Sequence, residues 1–538
     1  MHTESTKKRM ISFLNRGKEI ILTGAETEMS DYDGNPVAPF FTGAISRSAF
    51  FFTLFTSIPP VPCHEDGQVM FAPYGLRKVE AALKNAGFQD VAIIHPRYLK
   101  QHIGPNTKII AITSMNPLGL TYCDRTFTAM VGFGDESRNA YYFRKLLHNK
   151  HLHKVNAKIV VGGAGAWQVQ GPKMQQYFNI DHVIIGEGEV TVPEVFQKLM
   201  KNQSVPPVIR ATSAKNDDEI PLIQDGAIFG TVEISRGCGR GCKFCTPRQR
   251  KRRDFSIDRV VSETRINVQS GQRFIFTATE DALLYGCNNP KFYPNEEAVL
   301  ELFQAIASVP DVFYIMPAHI SLAAVTAAPK LIPRLTEIFQ ECLARVPEPL
   351  RKRPQRGIIT LQQETLFGAE TGIESGSPRI IQQLMPGKVL PFRPEEWPEV
   401  VMQALGILND NYWRPLASMM VGVPGESDAD ILKSIELVDR FKYTVKMFLI
   451  PVLFTPLGDS RLWNKRAADL NRCTDLQKEF FVRVWEYNVH TFSNEWANKL
   501  YTKLAVMTGG GLLYNFYYRW KKHRNFYYNL LTRISKLR

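Results

Sequence analysis

Between residues 66 and 205 the chain alternates short β-branched runs with longer stretches of helical period. Val-Met-Phe-Ala-Pro at 69–73, Val-Ala-Ile-Ile at 91–94, Ile-Ile-Ala-Ile-Thr at 109–113, Lys-Ile-Val-Val at 158–161 and His-Val-Ile-Ile at 182–185 read as strands. Apolar spacing over 76–86 predicts a helix after the first, and the last two runs are each followed by glycine and a helical segment. Five such units predict a doubly wound parallel sheet with helices on both faces. Ligands of such sheets bind beyond the carboxyl ends of the strands. The unusual residues fall there: Pro-Tyr-Gly-Leu at 73–76, Ser-Met-Asn-Pro-Leu-Gly at 114–119, Gly-Gly-Ala-Gly at 162–165 and Gly-Glu-Gly-Glu at 186–189.

A second α/β region begins with the short strand pattern Thr-Val-Glu-Ile at 231–234, which runs into Arg-Gly-Cys-Gly-Arg-Gly-Cys-Lys-Phe-Cys at 236–245. Cys238, Cys242 and Cys245 put three thiolates on one tight loop, with Gly237, Gly239 and Gly241 letting the backbone turn around a bulky group. A four-iron cluster needs four ligands, so three cysteines leave one iron open to an outside chelator. A closed zinc site wants four ligands, and no His or Cys pair stands nearby at zinc spacing. Cys63, Cys123, Cys287, Cys342 and Cys473 are scattered and form no second C-x2-C pair.

At these residues the chain resembles the radical SAM superfamily, whose signature is a C-x3-C-x2-C loop with an aromatic, here Phe244, before the third cysteine. The resemblance implies a partial (β/α) barrel and a 4Fe-4S cluster whose open iron is chelated by S-adenosylmethionine, which is split to a 5′-deoxyadenosyl radical. Segments in family order follow. The strand at 273–281 ends in Glu280 and Asp281, placed to accept from the ammonium of S-adenosylmethionine. Phe-Gly-Ala-Glu-Thr-Gly-Ile-Glu-Ser-Gly at 367–376 resembles the ribose-contacting segment, with Glu374 and Ser375 offering oxygens. Val-Gly-Val-Pro-Gly-Glu-Ser at 421–427, with Gly422 and Pro424, resembles the family's later helix-opening turn.

The upstream sheet resembles the cobalamin-binding domain of radical SAM relatives. That resemblance implies corrin contacts at Tyr74, Gly75, Ser114, Asn116, Gly162, Gly163, Gly186, Glu187, Gly188 and Glu189. The chain departs from the usual pattern, because Ala-Pro-Tyr-Gly at 72–75 stands where Asp-x-His-x-x-Gly should follow the first strand, and His95 ends the second strand instead. A histidine ligand to cobalt is therefore not expected, and Tyr74 or water would lie below the corrin.

Composition bounds the rest. Eight cysteines in 538 residues, unpaired by pattern, argue for a reducing cytoplasm, and the start lacks the apolar core of a signal peptide. The apolar run Phe-Phe-Phe-Thr-Leu-Phe at 50–55 is too short to span a bilayer. From Trp496 onward no Asp or Glu occurs while nine Lys and Arg do, which supplies most of the formal charge of +14. Leu513, Phe516, Tyr517, Trp520, Tyr527, Tyr528 and Leu531 recur there at helical spacing. This reads either as a basic amphipathic helix on anionic lipid or an acidic partner, or as a terminal helix docked on the barrel. No nucleic-acid-binding signature accompanies it. The basic, proline-rich stretch 347–356 reads as an exposed loop. Arg248, Arg250 and the basic run 251–253 could offset cluster or cofactor charge, or form a solvated turn.

The expected layout is an N-terminal extension (1–65), a cobalamin-binding-like domain (66–205), a radical SAM partial barrel (225–460) and a helical basic region (461–538). By resemblance, the expected activity is anaerobic C-methylation of an unactivated carbon in a lipid, peptide or other small-molecule substrate, with cobalamin as methyl carrier and an external electron donor. Radical ring formation without methyl transfer, and a cobalamin-dependent sensor, remain alternatives. Methylthiolation is disfavoured because no second cysteine triad precedes the first.

Overall fold

The computed structural model describes residues 16–47, 58–130, 135–246, 252–348, 359–361 and 364–492. The N-terminal sheet has six parallel strands: β1 Ile20–Gly24, β2 Val91–Ile93, β3 Ile109–Thr113, β4 Lys158–Gly162, β5 His182–Ile185 and β6 Val208–Arg210, in the order β2-β1-β3-β4-β5-β6. Side chains alternate between two separate cores, as burial on both faces requires. Ile21, Ile110, Ile112, Ile159 and Val161 face Phe143 and Leu147 on one side. Ile20, Leu22, Ile109, Val160 and Ile184 face Leu76, Leu83 and Phe196 on the other.

Two expectations are corrected here. Residues 69–73 are not a strand: Val69 makes an isolated bridge to Cys63, and Ala72 bridges Ala227 at the entry to the second region. Pro73 then caps the helix Tyr74–Asn85. The place expected for 69–73 is taken by β1, whose five residues are all buried, so the segment read as an N-terminal extension supplies a central strand. The sheet also gains β6, beyond residue 205.

The second region is a partial barrel. Strand β7 is Val232–Glu233, and the two-residue strands β8 Ser235–Arg236 and β9 Arg253–Asp254 pair antiparallel as a separate clasp. Then follow β10 Phe274–Ala278, β11 Tyr314–Pro317, the hairpin β12 Ile359–Leu361 and β13 Glu364–Leu366, β14 Glu370–Glu374, β15 Leu416–Val421 and β16 Phe448–Leu453. Parallel pairing joins β7-β10-β11 and β14-β15-β16, and a parallel bridge from His319 to Glu370 links the two halves. Outer helices seal this wall. Fully buried Trp397 donates its ring N–H to the carbonyls of Ile373 at 3.2 Å and Ser375 at 3.1 Å.

The helix Asp475–Phe492 packs on the helix Asp428–Phe441 and on β16, so the start of the region expected as a helical tail belongs to the barrel's outer layer. The basic aromatic stripe after 496, residues 247–251 and most of the basic stretch 347–356 lie outside the described residues. No helix among the described residues is long and apolar enough to cross a membrane.

A buried polar contact fastens sheet to barrel. Glu263, on the barrel helix Ile257–Gln269, pairs with Lys78 of the helix Tyr74–Asn85, and Tyr74 donates its hydroxyl to the same carboxylate at 2.7 Å. Lys78 and Glu263 are 3% and 2% exposed, so each charge depends on the other. Removing one partner of such a pair typically costs about 3–5 kcal/mol. Glu263→Ala should lower the unfolding free energy by about that amount in denaturant titration. The double substitution with Lys78→Met should recover most of the loss, because no charge is then stranded.

Candidate functional site

The cysteine loop leaves β8 and turns three times in succession. Gly237, Gly239 and Gly241 adopt φ of 76°, 74° and 73°, a left-handed backbone that side chains resist. Cys238 and Cys242 alternate with them, and the thiol of buried Cys242 is pushed up to about 11 by desolvation. Burial also raises Cys238, so a metal must displace firmly held protons. No group of three His, Cys, Asp or Glu among the described residues converges on one ion position. Three thiolates on one tight loop are the donor set a four-iron cluster would take, each thiolate meeting a different iron.

Arg240 locks the loop from behind. Its guanidinium donates to the carbonyls of Gly387 at 2.9 Å and Leu390 at 3.1 Å, to Ser321 Oγ at 3.0 Å and to Asp281 at 3.4 Å. Asp281 also accepts from the backbone N–H of Ser321 at 3.2 Å. The structure therefore assigns Asp281 to the loop's support rather than to an open ammonium site, because its carboxylate is 1% exposed and already paired. Its neighbour Glu280 keeps a buried oxygen, Oε2, with no partner among the described residues, which is what an incoming ammonium would need. Phe244 packs against the barrel core.

The other expected contacts divide. Glu374, at φ 67° on a register shift of β14, meets Lys388 Nζ and Ser418 Oγ at 3.4 Å each. Ser375 turns toward the helix Asp428–Phe441, its hydroxyl 3.4 Å from Ser434 Oγ and accepting from Ser377 N–H at 3.1 Å, so it shapes the turn instead of facing the barrel interior. Gly422, at φ 78°, donates its N–H to Glu426 at 2.7 Å, and half-buried Pro424 completes that turn.

On the sheet side, the strand order reverses between β1 and β3, and the crevice at that switch is the ligand edge of the fold. Its central group is Glu28, in the loop after β1, which accepts from Ser114 Oγ at 2.8 Å and Met115 N–H at 2.9 Å. Desolvation pushes Glu28 up to about 7. Asn116 is tied to Thr121 Oγ1 at 2.8 Å and to Gln168 at 2.9 Å, so Ser114 and Asn116 hold the loop in shape while Met115 stands 65% exposed beside them. Gly163, at φ 93°, lies so close that a Cβ would meet the Ser114 carbonyl at 2.7 Å. Gly162 and Gly186 end β4 and β5 at the same edge. No histidine occurs between 24 and 47, so the loop that follows β1 also lacks an imidazole. His95 is buried beyond edge strand β2, its pKa pushed down to about 4 by desolvation.

Five expected corrin contacts lie elsewhere. Tyr74 is bonded to Glu263, and Gly75 is exposed at the start of its helix, because the segment before them is not a strand. Gly188 packs between Val192 and Val79. Glu187 and Glu189 face the barrel: Arg236, two residues before Cys238, donates to Glu187 at 2.8 Å, to Glu189 at 2.5 Å and to Glu233 at 2.8 Å, and Arg253 donates to Glu187 at 2.7 Å.

Sequence reasoning missed Glu28, Arg236 and a further group. The helix Tyr122–Met130 follows the β3 loop and docks against β16, with Thr126 Oγ1 accepting from Leu453 N–H at 2.9 Å. The hydroxyl of its first residue, Tyr122, is raised chiefly by neighbouring Cys123 and by burial, with smaller contributions from Glu370, Glu374 and Cys245 across the gap. No local pattern over 122–130 set these residues apart in advance.

Residues 232–438 match the family model described as the Radical SAM superfamily. The chain carries a radical SAM domain. It is 22% identical to an uncharacterized methyltransferase of Pyrococcus horikoshii over 68% of this chain and 75% of that protein. It is 27% identical to the tRNA-2-methylthio-N(6)-dimethylallyladenosine synthase of Fusobacterium nucleatum over 31% of this chain and 38% of that enzyme. Its fold resembles the radical S-adenosylmethionine methyltransferase TsrM of Kitasatospora setae, solved with cobalamin and a 4Fe-4S cluster. The TM-score is 0.52 and the identity 11%, over 83% of this chain and 74% of that one.

One outcome tests the cysteine loop and a second tests the edge of the sheet. At Gly387 a Cβ would stand 2.0 Å from the Arg240 carbonyl, so Gly387→Ala should displace the cysteine loop and lower iron and sulfide content after reconstitution, with far-UV circular dichroism unchanged. Glu28 is held above its ordinary value of 4.5, so its contribution to stability is full below that pH and fades as pH rises through about 7. Glu28→Gln keeps an oxygen for both bonds and should flatten that part of the stability profile, measured by denaturation across pH.

Proposed function

We propose that this radical SAM enzyme is a cobalamin-dependent methyltransferase that acts on a small-molecule substrate. The observation that supports this most is one of connection. The loop after β3, at the ligand edge of the sheet, continues into the helix Tyr122–Met130, whose first residues lie near Cys245. A corrin at that edge and a cluster on the cysteine loop would therefore share one enclosed space. When bound, the cluster with S-adenosylmethionine supplies a hydrogen-abstracting radical, and cobalamin supplies a transferable methyl group.

The chain's own residues bind, orient and exclude water. Cys238, Cys242 and Cys245 would hold three irons, Arg240 would keep their loop in place, and the free oxygen of Glu280 would receive the ammonium of S-adenosylmethionine. Glu374, beside Lys388, would meet its ribose. On the sheet side Ser114, Asn116, Gly162, Gly163 and Gly186 shape the edge for the corrin, and Met115 is the side chain exposed there. The absence of an imidazole after β1 supports a corrin held without a histidine ligand. We place the working boundaries at 16–210 for the sheet domain and 225–492 for the barrel with its outer helix.

Methylthiolation is the reading that the Fusobacterium relative raises. Only Cys63 and Cys123 precede the triad in the sequence, too few for a second three-cysteine cluster, and this favours methyl transfer.

Anaerobic reconstitution with cobalamin, iron and sulfide tests the proposal. S-adenosylhomocysteine should form in proportion to bound cobalamin, and reduction should add 5′-deoxyadenosine. The triple Cys→Ala variant should keep cobalamin and lose the iron and the 5′-deoxyadenosine. Cleavage of S-adenosylmethionine with no cobalamin uptake would replace methyl transfer by ring formation, and uptake without either product would indicate a sensor.

A further inference from the structure

Between the sheet and the barrel lies a cavity of about 810 Å³ that neither Met115 nor any of the cluster cysteines lines. The sheet side contributes residues 117–120 of the loop after β3, Arg125 of the helix Tyr122–Met130, and Met174 and Tyr177 of the helix Pro172–Phe178. The barrel side contributes Leu453 at the end of β16 and residues 466–470. A volume of that order holds a whole small molecule.

Both walls are fixed. Leu118 N–H donates to Gln168 Oε1 at 2.9 Å. Gly119, at φ 67°, lies so close to Ser137, the N-cap of the helix Arg138–Leu147, that a Cβ would meet Ser137 Oγ at 2.7 Å. On the barrel side, Ala468 N–H donates to the Phe454 carbonyl at 2.8 Å, and a Cβ on Gly422 would stand 2.6 Å from that of Ala468. Thr126 Oγ1, bonded to Leu453 N–H, joins the two walls. The cavity is therefore formed before any ligand arrives.

Its charges are unevenly answered. Glu136 is spent on Arg144, at 2.8 and 2.7 Å, and Asp135 accepts from Ser46 Oγ at 3.3 Å. Asp469 accepts from Asn471 N–H at 2.9 Å and lies 3.7 Å from Arg472. Among the described residues, no hydrogen bond or ion pair reaches the guanidinium of half-buried Arg125 or of exposed Arg466, both of which line the cavity. Beside them is apolar surface. Leu118 and Met174 are half-buried, and Tyr177 is 52% exposed, its ring held edge-on to His148 and Phe178 at 5.1 and 4.8 Å.

We propose that this cavity is a second ligand site, for a small organic anion whose phosphate or carboxylate is taken by Arg125 and Arg466 and whose flat apolar body lies on Leu118, Met174 and Tyr177. Guanidinium forks match such oxyanions in geometry and charge. The apolar wall favours an anion with a ring over an inorganic one. The proposal stands apart from the methyltransferase reading, since it calls on neither the cluster nor the corrin. A ligand held by Arg125 from the sheet side and Arg466 from the barrel side would also tie the two regions together. The same chemistry could come from the nucleotide phosphate of cobalamin, because the cavity begins one residue beyond Asn116 in the same loop, and the experiment separates the two sources.

The test uses the full chain after reconstitution, with iron and cobalamin contents measured for every variant. Calorimetry titrates phenyl phosphate, inorganic phosphate and benzamidine. Wild type should bind phenyl phosphate, bind inorganic phosphate more weakly and ignore benzamidine. Arg125→Gln and Arg466→Gln should each load their cofactors and bind phenyl phosphate about tenfold more weakly, the loss of one charge-assisted hydrogen bond, with partial rescue in Arg125→Lys. Tyr177→Ala should reduce the preference for phenyl phosphate over inorganic phosphate. If the arginine variants lose cobalamin but still load cobinamide, which lacks the nucleotide, the cavity belongs to the corrin's tail and the proposal is overturned. It is equally overturned by wild type that fails to bind phenyl phosphate, by equal affinity for inorganic phosphate or benzamidine, or by an affinity that neither arginine substitution changes.

Discussion

The architecture depends on a single guanidinium. Arg236 sits on β8, two residues before the first cluster cysteine, and is 7% exposed at its side chain. It binds Glu233 of its own strand region, and Glu187 and Glu189 at the N-cap and in the first turn of the helix Gly188–Met200 that follows β5. Three carboxylates with one arginine would leave an excess of buried negative charge, and Arg253 on the paired strand β9 reduces it by sharing Glu187. Burial and the proximity of Glu189 still raise Glu233. Charges this deep stay only while every partner is present. The cysteine loop and the strand ends of the sheet are therefore fixed relative to each other by the same atoms. The ion network thus ties the strand that leads into the cysteine loop to the segment that follows β5.

That network was invisible in the sequence because its members lie at 187, 189, 233, 236 and 253, and only folding brings them together. What was legible was local. The runs that became β2, β3, β4 and β5 were visible as strands because a sheet buried on both faces demands consecutive apolar residues. Val-Met-Phe-Ala at 69–72 has the same composition and misled for that reason. It is an extended crossing, held by Ile93, Pro62 and Gly226 carbonyls rather than by a ladder. The true first strand at 20–24 stands close behind the charged stretch 16–19, which masked it. The error propagated to Tyr74 and Gly75, which were read as strand-end residues and are the start of an outer helix.

Among the barrel residues, sequence pattern located the cysteines because their spacing carries the chemistry. It could not separate Glu280 from Asp281, adjacent acids at one strand end. The structure separates them by partner: Asp281 is spent on Arg240 and the Ser321 N–H, and Glu280 retains a free oxygen.

The support behind the cysteine loop also bears on how the protein is made. Arg240 reaches its acceptor at Gly387 across 147 residues of chain, and the two backbones touch so closely that no side chain fits between them. During synthesis the three cysteines leave the ribosome long before that buttress exists. The earlier sheet can complete its own layers, since domains fold as units from the N-terminal end. The cysteine loop, by contrast, must wait in an unsupported form until translation has passed residue 390, where the last carbonyl that Arg240 binds is found. Metal loading into a finished site is in this sense a late event in the life of the chain, and the thiols have a vulnerable interval before it.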